Sequence, residues 1–119
     1  MDDRELVRRL LAKDEEAQRH FYHTYRDKLY RASAMILGYQ DPDAEDVVHE
    51  VFLAALKKME GFRFEGSLYH WLYRICMYLS FDRVRKRRRH VAHLHEELDD
   101  LARGTAVERA REAGDPAPG

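Results

Sequence analysis

Aromatic and basic side chains alternate in the middle of the chain, in a pattern that suits contact with unpaired nucleic acid. Phe62 and Phe64 flank Arg63 in a loop bounded by Gly61 and Gly66. At helical spacing, four further side chains of these two classes share one flank of the next segment: Trp71, Arg74, Tyr78 and Arg85. Aromatic rings stack on unpaired bases, while guanidinium groups pair with phosphates. The same spacing also fits aromatic residues of a core, so both interpretations stay open at this point.

A basic run follows directly. Six of the seven residues from Arg83 to Arg89 are Lys or Arg. On a helix they project nearly all round, so the run cannot be buried and cannot all face one duplex. We expect these side chains to bind phosphates without regard to sequence. A solvated helix end is the alternative.

An acidic segment lies further towards the N-terminus. Residues 41–50 contain five acids and no Lys or Arg: Asp41, Asp43, Glu45, Asp46 and Glu50. At 100° per residue, Asp46, Glu50 and Leu53 fall opposite a stripe of valines, and His49 flanks them. A leucine exposed beside two acids predicts a protein-docking face. The alternative is a solvated helix whose first acids interact with the positive end of the helix dipole.

Four helices are predicted to position these groups, over about residues 3–12, 14–37, 41–60 and 67–89. The expected boundary residues are the N-caps Asp14, Asp41 and Ser67, the first-turn Pro42, and the terminating Gly38 and Gly61. The predicted core stripes are Phe21, Tyr25, Leu29, Ala32 and Ile36 in the second helix, Ala44, Val47, Val48, Val51, Phe52, Ala55 and Met59 in the third, and Leu68, Leu72, Ile75 and Leu79 in the fourth. The fold class expected is an all-α, compact bundle of about four helices with a polar C-terminal tail.

Composition indicates the size of the folded domain and how the chain is divided. The 119 residues are 45% hydrophobic, which suits one modest domain. Residues 1–95 carry 18 Lys and Arg against 15 Asp and Glu, whereas residues 96–119 carry 3 against 7. We therefore expect a folded domain over residues 1–90 and a weakly ordered linker or tail over residues 91–119. The single cysteine, Cys76, excludes an internal disulfide and is expected to be a small buried residue.

The sequence gives no support to several classes of protein. No segment has the pattern of a signal peptide or is apolar over the length of a bilayer, so we expect a cytoplasmic protein without a membrane partner. No Gly-rich phosphate loop and no nucleophile beside a base is present, so we expect neither an enzyme nor a cofactor. His90, His93 and His95 lie close together, but no cysteine pair or HExxH motif accompanies them. A histidine-dependent metal enzyme therefore remains only a minor alternative.

Three segments resemble, in the same order, motifs of bacterial sigma factors of the extracytoplasmic-function (ECF) type. They are DAEDVVHEVFL at 43–53, GFRFEGSLYHWLYRI at 61–75 and LSFDRVRKRR at 79–88. The resemblance covers roughly residues 3–90 and implies sigma region 2, a compact helical bundle that binds RNA polymerase and recognises promoter DNA. Three ordered motifs over nearly fifty residues are far more specific than any one of them.

The resemblance also implies roles for individual residues. The acidic helix would bind the clamp helices of the largest subunit of core RNA polymerase through Asp46, His49, Glu50 and Leu53. The loop and the following helix would bind the non-template strand of the promoter −10 element, which the domain helps to melt. The positions that match this DNA-binding role are Phe62, Arg63, Phe64, Glu65, Gly66, Ser67, Arg74, Tyr78, Arg83, Arg85, Lys86, Arg87 and Arg88. An anti-sigma factor is a further candidate partner.

Three departures from the family pattern bear on this assignment. His49 stands where glutamine is usual, and Tyr78 stands where asparagine is common. The helix-turn-helix half that reads the −35 element is absent, so we expect this chain to be one half of a longer protein, a natural single-domain variant being the alternative. A decoy of the same fold, which binds polymerase or an anti-sigma factor without reading a promoter, is the competing function.

Overall fold

The structure is a computed structural model that describes the backbone of residues 1–112 and the side chains of residues 1–104. Within that range it contains four α-helices, α1 (Asp3–Leu11), α2 (Glu15–Leu37), α3 (Pro42–Lys58) and α4 (Leu68–Glu112), and one 3₁₀ turn (Met59–Gly61), with no strand. The expected all-α fold class is therefore confirmed. No helix among these residues combines the length and apolar character that a bilayer span requires.

Local capping chemistry explains where the helices begin. Asp14 Oδ1 accepts hydrogen bonds from the backbone N–H groups of Glu16 and Ala17 at 3.0 and 3.2 Å, and Asp41 accepts one from Asp43 at 2.8 Å. Each bond satisfies an N–H that has no partner inside the helix. A third hydrogen bond to Asp14, donated by the Arg9 side chain at 2.8 Å, holds the pKa of this carboxyl below its ordinary value. The caps predicted at both positions are confirmed.

Two compact units divide the chain, Met1–Val84 and a second that begins at Arg85. In the core of the first unit, all seven core residues predicted for the third helix are buried, six in α3 and Met59 in the 3₁₀ turn. In α4 the buried line differs from the prediction and consists of Leu68, Leu72, Cys76 and Ser80. Ile75 and Leu79 lie half-buried beside it. Of this line, the two small residues Cys76 and Ser80 contact α2.

Those small residues make polar contacts with α2. The Cys76 thiol donates to the backbone oxygen of Leu29 at 3.5 Å, and the Ser80 hydroxyl donates to the Ser33 hydroxyl at 3.0 Å. All four of these residues are fully buried. Burial raises the pKa of the Cys76 thiol, which a hydrogen bond with Ser80 partly offsets. The prediction that Cys76 is buried is confirmed.

The second unit continues α4 well beyond the end that the sequence predicted near residue 89, since the helix extends to Glu112. This segment is rich in Ala, Leu, Glu and Arg, which favour helix, and it contains no proline before residue 116. Its side chains from Arg88 to Gly104 are all exposed, and His93 and Glu97 form an i,i+4 pair at 3.0 Å. Its role as a linker stays a prediction, and residues 113–119 of the expected tail lie outside the described residues.

Candidate functional site

The outer face of α3 presents three of the four residues that the sequence assigned to polymerase binding. Asp46 and His49 are exposed, and so is Leu53, with 51% of its surface accessible. The opposite face of the helix is fully buried through Val47 and Val51. The valine stripe therefore fixes the rotation of α3 and turns this acidic and apolar face outwards.

Glu50, the fourth of these residues, forms an ion pair with α4. Arg83 donates from Nη2 to Glu50 Oε1 at 2.8 Å and from Nη1 to Asp43 Oδ1 at 3.0 Å. The Arg83 side chain is only 22% exposed. The structure thus brings together a residue predicted to bind polymerase and one predicted to bind DNA, and it separates Arg83 from the solvent-facing basic residues.

Three aromatic rings form a cluster beneath the 61–67 loop. The Phe62 ring lies 4.6 Å from that of Phe64 and 5.2 Å from that of Trp71, measured between centroids. All three residues are half-buried and pack against the core. These rings therefore anchor the loop at the start of α4, in addition to any stacking that their exposed edges allow.

The first unit has a polar pocket of about 240 Å³ on α2 and α3 and another pocket of about 190 Å³ at the loop. Eight residues line the loop pocket: Gly61, Phe62, Arg63, Glu65, Ser67, His70, Trp71 and Arg74. Five of its side chains are exposed and polar or charged, namely Arg63, Glu65, Ser67, His70 and Arg74. Hydrogen-bond donors and an acceptor therefore surround an aromatic floor, as the edge and face of a nucleobase require.

Ser67 is a structural member of this pocket. Its hydroxyl accepts a hydrogen bond from the backbone N–H of His70 at 3.1 Å, which confirms the predicted N-cap of α4. The cap sets the first turn so that His70, Trp71 and Arg74 all face the pocket. Sequence reasoning assigned no role to His70, and it named Trp71 only as an aromatic residue that could stack on bases or belong to the core. Their spacing of three and four residues after the cap is the signal that could have found both.

A broader groove of about 480 Å³ adjoins this pocket, because Trp71 and Arg74 line both. It is largely apolar and runs along α3 and α4, with Lys58 at one side. Tyr78 also lines it and is 65% exposed. The predicted residues Arg74 and Tyr78 therefore share one surface with the loop.

Four more of the predicted DNA-binding residues belong to the second unit. Arg85, Lys86 and Arg88 are exposed and Arg87 is half-buried. Arg85, Lys86 and Arg87 also take part in interactions within the chain. Because consecutive helical residues point in different directions, the run spreads its charge around the helix, as expected from the sequence. Among the described residues, no three His, Cys, Asp or Glu side chains gather as a metal site would require.

Comparison with known proteins agrees with this geometry. The family model for sigma-70 region 2 matches residues 21–90. The chain is 33% identical over 75 residues to the ECF RNA polymerase sigma factor SigW of Bacillus subtilis, a match that covers 63% of this chain and 40% of SigW. It is 34% identical over 77 residues to the ECF RNA polymerase sigma-E factor of Haemophilus influenzae, covering 65% of this chain and 40% of that protein.

A third relative, the ECF RNA polymerase sigma factor SigM of Mycobacterium tuberculosis, is 27% identical over 104 residues, which cover 87% of this chain and 53% of SigM. The chain thus spans about half or less of the length of the relatives it matches. An NMR structure of an engineered region 2 of sigmaE in complex with GTAAAA shares the fold. It has a TM-score of 0.66 and 24% identity, and the match covers 76% of this chain and 93% of that one.

Proposed function

Because this chain belongs to the sigma-70 region 2 family, we propose that it is a transcription initiation factor domain that binds core RNA polymerase and recognises the promoter −10 element. Its relatives are ECF RNA polymerase sigma factors, which are transcription factors rather than enzymes. The observation that carries the proposal is the loop pocket, in which charged side chains surround an aromatic floor. In this function the chain works in the cytoplasm.

Polymerase binding is assigned to the outer face of α3. Asp46 offers charge, His49 a hydrogen-bonding ring and Leu53 an apolar contact, and all three are exposed. Leu53 is 51% exposed, so a partner that covers it would remove apolar surface from water, which favours docking. Glu50 contributes to this face through the half of its side chain that is exposed, while its carboxylate is held by Arg83.

Promoter recognition is assigned to the loop pocket. An extruded base of the non-template strand stacks against the aromatic floor, and its edge meets Arg63, Glu65 or His70. The free energy of unstacking, roughly a few kcal/mol per base, is recovered through these contacts. Capture of the extruded base therefore favours the open strand and helps the polymerase to melt the promoter.

Arg74 and Tyr78 extend the path of the strand along the adjoining groove. The exposed Arg85 and Arg88 supply phosphate contacts that do not depend on sequence. Arg83 is assigned a different role from its neighbours in the sequence, because its guanidinium already holds two carboxylates.

The test uses the full chain bound to core RNA polymerase and a pre-melted promoter whose −10 strand is randomised, with GTAAAA, the strand in the sigmaE region 2 complex, as a reference probe. We expect enrichment of a short motif and a loss of that preference in Glu65→Gln, which removes a charge from the pocket while keeping its shape. Glu60→Gln, which changes an exposed acid outside the pocket, is the matched control.

Polymerase binding without any enriched motif would contradict promoter recognition and favour the decoy function. Failure to bind core polymerase at all would contradict the proposal as a whole.

A further inference from the structure

The first helix contacts the loop whose residues line the pocket, although no sequence motif connects the two. The buried side chains Leu6, Val7 and Leu10 fix α1 to the core. The helix packs against α2 and against the 3₁₀ turn that leads into the loop. This packing places the first turn of α1 beside residues sixty or more positions later in the chain.

One contact from α1 holds the end of the loop. Asp3 Oδ2 accepts a hydrogen bond from the backbone N–H of Leu68, the first residue of α4, at 2.9 Å. That N–H has no acceptor within its own helix, so a side chain from another element completes the cap that Ser67 begins. Burial raises the pKa of Tyr25, and the nearby carboxylate of Asp3 raises it further, which agrees with a carboxylate held against the bundle.

A second contact holds the centre of the loop. The guanidinium carbon of Arg4 lies 4.6 Å from the centroid of the Phe64 ring, within the range of a cation–π interaction. The Phe64 ring also contacts that of Phe62, with 4.6 Å between the ring centroids. Phe64 is therefore held by one group from α1 and one from the loop itself.

The backbone at Phe64 needs this support. Its φ is +58°, a left-handed conformation that bulky residues rarely adopt, and Gly66 follows with a φ of +126°. Such a conformation persists only where surrounding contacts hold it, and it is commonly found at functional sites. The residues on either side of Phe64 are Arg63 and Glu65, two of the charged side chains that line the pocket.

We propose that Arg4 is a positioning residue for base recognition: its guanidinium holds the Phe64 ring and so keeps the loop in the conformation that directs Arg63 and Glu65 to the pocket. This inference rests on the proposed function. A loop held in its binding conformation before the strand arrives loses less entropy on binding, and that saving is specific to strands that use the pocket. Arg4 therefore affects base preference without touching the base.

A first experiment needs no DNA. Trp71 is the only tryptophan in the chain, and its ring lies 5.2 Å from that of Phe62, so its fluorescence reports the packing of the loop. In Arg4→Gln we expect stronger quenching of Trp71 by acrylamide, with an unchanged helical circular dichroism spectrum. Arg8→Gln removes the same charge from an exposed position on the same helix and should leave the quenching unchanged. Equal quenching in both variants and the parent would overturn the inference.

A second experiment measures base preference with polymerase-bound protein and the pre-melted promoter. We expect the ratio of affinities for the enriched and a scrambled −10 strand to fall by about two- to five-fold in Arg4→Gln, the range of an exposed cation–π contact. The decrease should be smaller in Arg4→Lys, which keeps a cation over the ring, and absent in Arg8→Gln.

A uniform loss of affinity for both strands would overturn the inference, because Arg4 would then contact phosphates directly. A preference that depends on Glu65 but not on Arg4 would contradict this inference alone. A preference that depends on neither residue would contradict the proposed function as well.

Discussion

The guanidinium group of Arg83 in α4 donates a 2.8 Å hydrogen bond to the carboxylate of Glu50 in α3. Its other terminal nitrogen donates to Asp43 at 3.0 Å, so one arginine holds two acids of the acidic segment. This pairing changes how both predicted surfaces are to be tested. Removing the Glu50 carboxylate would leave the half-buried Arg83 with one partner fewer and would also alter the outer face of α3. A binding assay could not separate these two effects.

Polymerase binding is therefore tested at Asp46 and Leu53, which the pairing does not involve. We expect Asp46→Ala with Leu53→Ala to weaken binding to core RNA polymerase by about ten-fold or more, since burying a half-exposed leucine in an interface contributes roughly 1–2 kcal/mol. The matched control is Leu11→Ala with Glu15→Ala, an exposed leucine and acid on other parts of the bundle. The measurement is competition for core polymerase, and equal binding by both double variants would contradict the assignment.

Arg83 is predicted to stabilise the fold. We expect Arg83→Ala to lower the free energy of unfolding by about 1–2 kcal/mol, because two charge-assisted hydrogen bonds are removed but the Glu50 carboxylate stays partly solvated. Urea denaturation measures this change. The exposed Arg88 is the matched control, and Arg88→Ala should leave the midpoint unchanged. If Arg83→Ala has an unchanged urea midpoint but binds DNA more weakly, Arg83 contributes to DNA binding rather than to stability.

The exposed basic residues are predicted to bind DNA without reading it. Arg85→Gln with Arg88→Gln should weaken binding to all −10 strands by a similar factor. The slope of log affinity against log salt concentration should become shallower by roughly one unit for each phosphate that the variant no longer neutralises. Salt titrations with polymerase-bound protein and the pre-melted promoter test this. A change in base preference in this variant would show that the basic run and the loop have been given the wrong roles.

The buried pair of Ser33 and Ser80 is predicted to respond unequally to mutation. Ser80→Ala leaves the Ser33 hydroxyl without its partner and should cost roughly 1–3 kcal/mol of stability. Ser33→Ala should cost less, because the Ser80 hydroxyl keeps its contact with the thiol of Cys76. The double variant should be more stable than the sum of the single effects predicts, since no hydroxyl is then buried alone. Additive effects in urea denaturation would argue against a direct bond.

Local features of the chain were predictable because their causes act within a few residues. Asp14, Asp41 and Ser67 cap helices through hydrogen bonds to N–H groups two or three positions away. The valine stripe of α3 follows from helical periodicity alone, and so does the outward direction of Leu53. The order of the three motifs was sufficient to identify the family.

The remaining features depend on how pairs of helices pack. Periodicity placed Ile75 and Leu79 fully in the core, but they are half-buried, and Ser80, which the sequence did not place there, is fully buried against α2. The sequence placed Arg83 among the DNA-binding residues, whereas its partner Glu50 lies 33 residues away.

The contact of Arg4 with Phe64 and the position of His70 in the loop pocket also depend on how separate parts of the chain pack together. Helical periodicity determines which way a side chain points from its own axis. Which residues of two helices meet is decided by their crossing angle and register, which depend on the packing of the whole core.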